Sequence, residues 1–136
     1  MTTAHNILIV DDEAHILQVL SLKLRNCGYS ITTAVDGEDA LHQAKMNPPD
    51  LVITDVQMPY MNGLEFALAL SLHKSTSHIP VIVLTARGHT LEANDTNIPN
   101  VRKVLSKPFS PRGISELCSK LLEEVPASKN ENRDAA

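Results

Sequence analysis

At residues 51–55 the chain reads LVITD, a short apolar run that ends on a hydroxyl and a carboxylate. Three other runs end in the same manner: residues 7–10 (ILIV) lead into Asp11 and Asp12, residues 81–84 (VIVL) into Thr85, and residues 104–105 (VL) through a serine to Lys107. Continuous apolar runs of this length are typical of parallel strands that are buried on both faces. Ligands of open α/β sheets bind beyond the carboxyl ends of the strands. The pattern therefore predicts one site, with three carboxylates, a hydroxyl and an ammonium, that suits a metal ion and a phosphoryl group.

Composition bounds the class of protein. The chain has 136 residues, which fits one domain, and 43% of them are hydrophobic although only 3% are aromatic. The formal net charge of −4 argues against nonspecific nucleic-acid binding, which needs a basic face. No apolar stretch approaches the roughly 20 residues that span a bilayer, so we expect a cytoplasmic protein without a membrane segment. Cys27 and Cys118 lack metal or redox spacing, and we expect both to be small buried thiols.

Strand-like and helix-like segments alternate along the chain. This order predicts an α/β fold, with a parallel sheet covered by helices on both faces. The predicted strands are 6–10, 30–35, 51–54, 80–84 and 102–105, and the predicted helices are 13–26, 37–46, 63–73 and 111–124. Segment 90–96 is predicted to form either a short helix or an irregular loop, because Asn, Asp and Thr are poor helix formers and Pro99 follows. Residues 1–125 form the predicted domain, and the polar residues 126–136 are predicted to be a disordered tail.

Several helix ends have recognisable signals. Gly28 is expected at the position that follows the first helix, where a left-handed conformation is common. Asp36 and Ser110 are expected as N-caps of the second and the last helix, and Pro111 as the first helical residue of the latter. The prolines at positions 48 and 49 are expected to stop the second helix.

The first helix has more apolar residues than one buried face needs. Ile16 lies at the margin of the predicted core face, whereas Val19 and Leu22 point away from it. Two interpretations stay open: scattered apolar residues on the surface, which are common, or a patch for a partner helix beside the acidic site.

Four stretches of the chain together resemble the receiver domain of two-component response regulators, the CheY-like family. They are ILIVDDE at 7–13, DLVITDVQMPYMNGLE at 50–65, IPVIVLTA at 79–86 and KPFSP at 107–111. The resemblance implies a flavodoxin-like (βα)5 fold, with a doubly wound five-stranded parallel sheet in the strand order 2-1-3-4-5. It also implies a phosphoprotein of a two-component system or phosphorelay that works in signal transduction.

The resemblance assigns roles to the residues at the strand ends. It implies that Asp55 is the phosphoacceptor and that Mg²⁺ is the cofactor. The implied ligands of the ion are Asp12 and Asp55 directly, Asp11 through water, and the backbone carbonyl of Gln57. The implied groups that bind the phosphoryl oxygens are Thr85, Ala86 and Lys107. Pro108 matches a cis proline of the family, which would aim the preceding lysine at the pocket; the alternative is a trans proline that ends the strand.

One departure from the family pattern concerns the switch. The family usually has Tyr or Phe three residues before the site lysine, and this aromatic side chain moves together with the threonine. Here the position holds Val104, which cannot make the same rotamer change, so the coupling of Thr85 to an aromatic switch is absent.

The leading interpretation is a stand-alone receiver that takes a phosphoryl group from a histidine kinase or a histidine phosphotransfer protein and signals to a downstream protein target. It catalyses only its own phosphorylation and dephosphorylation, and it contacts neither nucleic acid nor membrane. The expected partner surface combines Ile16, Val19 and Leu22 with Pro108 and Phe109. Three alternatives stay open: a receiver that is part of a longer response regulator or hybrid kinase, a degenerate receiver, and a Mg²⁺-dependent phosphatase with an Asp nucleophile. Against the phosphatase, Gln57 stands where such enzymes have a general acid.

Overall fold

A computed structural model describes residues 5–58, 60–85, 98–107 and 109–124, which contain five strands and four helices. The strands are β1 (Asn6–Val10), β2 (Ser30–Ala34), β3 (Leu51–Asp55), β4 (Val81–Thr85) and β5 (Val101–Ser106). The helices are α1 (Ala14–Asn26), α2 (Gly37–Met46), α3 (Gly63–Leu72) and α4 (Pro111–Glu124). All strand pairs are parallel, and the sheet order is β2-β1-β3-β4-β5, which confirms the predicted fold class and strand order.

The sheet separates two apolar layers, because successive side chains of a strand point to opposite faces. One layer holds Leu8, Val10, Val52 and Val83 together with residues of α2 and α3, such as Phe66. The opposite layer holds a second set from the same strands, packed against α1 and α4: Ile7, Ile9, Ile53, Ile82, Leu84, Leu20, Leu24 and Ile114. Strands β3 and β4 are buried along their whole length, which explains why they read as continuous apolar runs.

The helix ends confirm the predicted signals. Gly28 has a φ of 99° and donates to the carbonyl of Arg25, while the next N–H, of Tyr29, donates to Leu24, the hydrogen-bond pattern of a Schellman motif. Asp36 accepts a hydrogen bond from the N–H of Asp39, and Ser110 accepts one from the N–H of Gly113. These caps fix where the chain turns from each strand into the next helix.

The boundaries differ from the predicted ones by one residue at most. Asp55 and Thr85 are the last residues of β3 and β4 rather than the first residues after them, and Ser106 still belongs to β5. Ala86, Pro108, the predicted short helix at 90–96 and the predicted tail at 126–136 lie outside the described residues. None of the helices in the described part of the chain is long and apolar enough to cross a bilayer.

Both cysteines were expected to be buried, and this prediction is confirmed for Cys118 but wrong for Cys27. Cys118 is buried in the layer between the sheet and α4, and burial raises the pKa of its thiol to about 12. Cys27 is exposed, because it occupies the C-cap position of α1, where the chain already turns away from the core.

The turn from β3 into α3 brings backbone against backbone directly behind Asp55. The N–H of Gly63 donates to the carbonyl of Val56 at 2.9 Å, and a Cβ atom on Gly63 would stand 2.0 Å from the carbonyl oxygen of Asp55. Real Cβ atoms do not approach an oxygen so closely, so glycine is required here by close approach.

Replacing this glycine is therefore expected to damage the fold. Gly63→Ala should lower the free energy of unfolding by about 2–4 kcal/mol, because either β3 or the start of α3 must move. Urea unfolding followed by circular dichroism measures the change.

Gly113→Ala is the matched control. A Cβ atom on Gly113 meets Ser110 at 3.5 Å, which is an ordinary contact, and alanine favours the helix, so a gain of up to about 1 kcal/mol is expected. Equal losses of stability in the two variants would contradict the close-approach argument.

Candidate functional site

The sheet register brings the polar strand ends together. β1 pairs with β3, and β3 pairs with β4, so that Asp55 stands opposite Leu84 and Thr85 is one residue further along. The N–H of Asp11 donates to the carbonyl of Ala34 and extends the ladder of β1 by one residue. The carboxyl ends of three adjacent strands thus lie at one edge of the sheet.

Three carboxylates form a cluster at this edge. Asp11, Asp12 and Asp55 offer oxygen atoms that all lie within 4.8 Å of one another. Asp11 and Asp55 are 1% and 4% exposed, whereas Asp12 is exposed. Like charges at this separation repel each other strongly in a partly buried site, so the cluster needs a cation.

Lys107 supplies one positive charge from the end of β5. Its Nζ atom lies 3.4 Å from Oδ1 of Asp55, 3.7 Å from Oδ2 of Asp11 and 3.5 Å from Oε1 of Glu13. The N–H of Lys107 donates to the carbonyl of Thr85 at 2.8 Å, which ties the backbone of the lysine to the end of β4. One ammonium is therefore shared by three carboxylates.

The pKa values reflect this crowding. Burial raises the pKa of Asp11 to about 6, although the hydrogen bond from the N–H of Glu13 opposes the change. Burial likewise raises the pKa of Asp55, against the charge of Lys107. Burial acts to lower the pKa of Lys107, but Asp11 and Asp55 outweigh it and leave that pKa above its ordinary value. The two buried carboxylates are thus costly to ionise without a further positive charge.

The cluster fits a small divalent cation. Oδ1 of Asp11 accepts the N–H of Glu13, but Oδ2 of Asp11 is buried and accepts no hydrogen bond. An all-oxygen donor set with an unsatisfied carboxylate oxygen matches the preference of Mg²⁺, which binds through one or two carboxylates and keeps several waters. The acidic cluster is shown by the structure, and the ion and its individual ligands stay a prediction.

Thr85 is buried at the end of β4, and its hydroxyl lies 3.5 Å from the carbonyl of Leu105. A hydrogen bond of that length is marginal, so the hydroxyl is free to take a better acceptor. Gln57 is exposed just beyond the cluster, and the role of its carbonyl stays a prediction. Val104 is half-buried opposite Val83 and packs against the layer below α2 and α3.

The predicted partner surface divides into two separate grooves. Ile16, Val19 and Phe109 line an open groove of about 390 Å³ next to Lys107, to which Glu13, His15 and Pro111 also contribute. Leu22 is 64% exposed and lines a different groove, between α1 and the edge strand β2. Three residues of the expected surface thus share one groove, and Leu22 lies in the other. The fifth residue, Pro108, lies outside the described residues.

Sequence reasoning missed two features of the site. It did not single out Glu13, because a carboxylate at the start of a helix is ordinarily a capping or solvated residue. It also missed the capping box of α3, in which Asn62 accepts from the N–H of Glu65 and the Glu65 side chain accepts from the N–H of Asn62. The spacing of Asn62 and Glu65 was the available signal for the second feature.

Removal of one buried carboxylate is expected to stabilise the metal-free protein. The folded state holds the Asp11 proton up to about pH 6, whereas the unfolded chain releases it near pH 4, so this group makes stability fall as the pH rises between those values. Asp11→Asn should abolish that fall and raise the free energy of unfolding at pH 7 by roughly 1–3 kcal/mol. Urea unfolding in EDTA across this pH range measures both effects.

Asp12→Asn is the control, because that carboxylate is exposed to solvent whereas Asp11 is buried. In EDTA, Asp12→Asn should gain less stability than Asp11→Asn. Mg²⁺ should raise the melting temperature of the wild type but of neither variant. A wild-type melting temperature that ignores Mg²⁺ would contradict the assignment of the cluster as a cation site.

Comparisons with known proteins agree with the fold. A solved putative response regulator from Chloroflexus aurantiacus J-10-fl is 32% identical, with a TM-score of 0.82 over 89% of this chain and 99% of that chain. The chemotaxis response regulator CheY4 of Vibrio cholerae is 31% identical, with a TM-score of 0.79 over 87% of this chain and 98% of that chain. Both similarities extend over nearly the whole of the solved chains.

Curated relatives are longer than this chain. The alkaline phosphatase synthesis transcriptional regulatory protein PhoP of Bacillus subtilis (strain 168) is 33% identical over 130 residues, which are 94% of this chain and 53% of PhoP. The transcriptional regulatory protein GlrR of Escherichia coli (strain K12) is 33% identical over 96% of this chain and 29% of GlrR. The chain thus spans about half or less of the length of these relatives.

Residues 7–119 match the family described as the response regulator receiver domain, and the chain therefore belongs to that family.

Proposed function

We propose that this chain is the phosphoacceptor receiver of a two-component system or phosphorelay, and that Asp55 takes a phosphoryl group from a histidine kinase or a histidine phosphotransfer protein. The observation that carries the proposal is the position of Asp55. Its carboxylate lies in a cluster with Asp11 and Asp12, and one of its oxygens is 3.4 Å from the ammonium of Lys107. This arrangement sets a nucleophile beside both a candidate cation site and a fixed positive charge.

The proposed step is an in-line displacement at phosphorus. A carboxylate oxygen of Asp55 forms the new P–O bond, while the bond from phosphorus to the donor nitrogen breaks and its electron pair stays on the imidazole. The transition state is loose and spreads charge over the phosphoryl oxygens, so catalysis consists mainly of positioning and charge neutralisation. Lys107 is placed to neutralise one of those oxygens.

The cofactor of the proposal is Mg²⁺, which would neutralise further charge on the phosphoryl oxygens when bound. Asp12 and Asp55 would hold the ion directly, Asp11 through water, and Gln57 through its backbone carbonyl. The buried Oδ2 atom of Asp11, which accepts no hydrogen bond and lies 3.7 Å from Lys107, supports a cation at this place.

The signal would begin at Thr85. Among the described residues its hydroxyl makes a marginal contact with the carbonyl of Leu105, so it can turn to a phosphoryl oxygen, which the N–H of Ala86 would also bind. Phosphorylation adds nearly two negative charges, and the change must bias a two-state element. Because Val104 replaces the usual aromatic residue, we propose that this element is not a rotamer switch on β5.

We propose that the phosphoryl donor docks in the groove formed by Ile16, Val19 and Phe109. The groove is next to Lys107, so a helix lying in it can present a phosphohistidine to Asp55. Output is proposed to pass through protein contacts, with no activity on other substrates and no direct nucleic-acid contact by this domain. The net charge of −4 supports the last point, although PhoP and GlrR are named transcriptional regulators.

Phosphoryl uptake is the first test. After incubation with acetyl phosphate and Mg²⁺, intact mass spectrometry should show an acid-labile adduct of about 80 Da. The adduct should be absent from Asp55→Asn. Lys107→Gln should slow its formation at least about tenfold, because a charge that stabilises the transition state is lost. Asp36→Asn, at a helix cap outside the acidic cluster, should form the adduct at the wild-type rate. Adduct formation in Asp55→Asn would refute the acceptor assignment.

The docking groove is tested by two substitutions on one helix. Val19→Glu places a charge in the groove and should reduce transfer from the kinase that phosphorylates the wild type by about tenfold or more. Leu22→Glu changes the exposed residue of the other groove and should leave transfer unchanged. Both variants should react normally with acetyl phosphate, which shows that the site is intact. Equal loss of kinase transfer in both would reject the assignment of the groove.

A further inference from the structure

Glu13 makes a contact that the proposed chemistry does not use. Its Oε1 atom lies 3.5 Å from Nζ of Lys107, close to the 3.4 Å that separates Lys107 from Asp55. Glu13 occupies the N-cap position of α1, yet its side chain accepts no capping hydrogen bond from the helix. The carboxylate is thus directed to the ammonium rather than to the backbone.

Glu13 stands apart from the acidic cluster. The group of carboxylates close enough to share a cation comprises Asp11, Asp12 and Asp55, all within the described ranges of the chain, and Glu13 is not among them. Its side chain is 61% exposed, whereas those of Asp11 and Asp55 are buried. A cation in the cluster would therefore draw on Asp55 directly and on Asp11 through water, and would leave Glu13 as the carboxylate on Lys107 that the cation does not use.

Charge at the mouth of the site gives this contact a consequence. The site holds four carboxylates, those of Asp11, Asp12, Asp55 and Glu13, and one ammonium, which leaves three formal negative charges without a cation and one with a divalent cation. An incoming phosphoryl donor is itself an anion, and its oxygens need the same ammonium that Glu13 holds. A doubly charged donor loses more from this competition than a singly charged donor.

We propose that Glu13 is a specificity-determining residue for phosphoryl transfer: it competes with the phosphoryl group for Lys107 and thereby disfavours doubly charged free donors. This proposal rests on the proposed function, since it takes Asp55 as the acceptor. The ammonium of Lys107 contacts Glu13 before the donor binds and a phosphoryl oxygen afterwards. The exposed carboxylate of Glu13 also repels the donor, and this repulsion is weaker for a donor of lower negative charge.

The experiment compares two small donors. Acetyl phosphate is mostly doubly charged near neutral pH, whereas phosphoramidate, with its nitrogen protonated, has a single net negative charge, and both react without a docked protein. The ratio of the acetyl phosphate rate constant to the phosphoramidate rate constant should rise roughly two- to fivefold in Glu13→Gln. Glu13→Asp keeps the charge but shortens its reach, and its ratio should fall between those of the wild type and Glu13→Gln.

Glu123→Gln is the matched control for net charge. Glu123 is exposed in the last turn of α4, about 18 Å along the helix from Pro111, so the ratio should not change. A change of both rate constants by one common factor in Glu13→Gln would indicate a purely structural role and overturn the proposal.

A second measurement observes Lys107 directly in metal-free protein. With ¹³C-labelled lysine, the Cε resonance of Lys107 is assigned through Lys107→Met. It should shift in Glu13→Gln and stay in place in Glu123→Gln.

The outcomes separate this proposal from the proposed function. An unchanged Lys107 resonance, or an unchanged donor ratio while Asp55 is still phosphorylated, would overturn the role of Glu13 alone. Absence of any Asp55-dependent adduct from either donor in the wild type would overturn both.

Discussion

The balance between buried carboxylates and one ammonium governs this molecule. Asp11 and Asp55 are almost fully buried at adjacent strand ends, where neither solvent nor a long side chain of their own can relieve their charge. Lys107 reaches them from the far side of β4, at the end of β5. The sheet therefore brings together groups that oppose its own stability, and it holds them through the backbone pairing of four strands. Burial raises the pKa of Asp11 to about 6, which reflects the free-energy cost of ionising this carboxyl group in the folded protein.

The same constraint extends into the loop behind Asp55. Gly63 allows α3 to begin against the carbonyl of Asp55, and the capping box of Asn62 and Glu65 fixes that beginning. The hydroxyl of Thr54 donates to the same carbonyl at 3.0 Å, so the backbone of Asp55 is held from two sides. A nucleophile held in this way loses little freedom when it reacts, which is the basis of catalysis by positioning. Rigid support and electrostatic strain thus occur at the same residue.

Sequence reasoning predicted most of the fold and the core of the cluster, for a definite reason. A parallel sheet buries its central strands on both faces, so that β3 and β4 read as apolar runs and their polar ends stand out. The contact of Glu13 with Lys107 was not predicted, because the strand order brings the two segments to one edge of the sheet but does not determine which carboxylates reach the ammonium. The separation of Leu22 from Val19 also depends on tertiary structure, since helical phase gives a direction but not the neighbouring strand.

Because the groups of the site come from distant parts of the chain, the site is also an indicator of completed folding. Asp11, Asp55 and Lys107 are brought together only when β1, β3, β4 and β5 have all paired, and such non-local pairing forms late and slowly. β5 is an edge strand with an irregular register beside β4, and its residues are less buried than those of β3. Local opening of such an edge requires less free energy than global unfolding. It would withdraw the ammonium from an otherwise intact acidic cluster, so transient fraying of one strand can silence the site while most of the domain stays native.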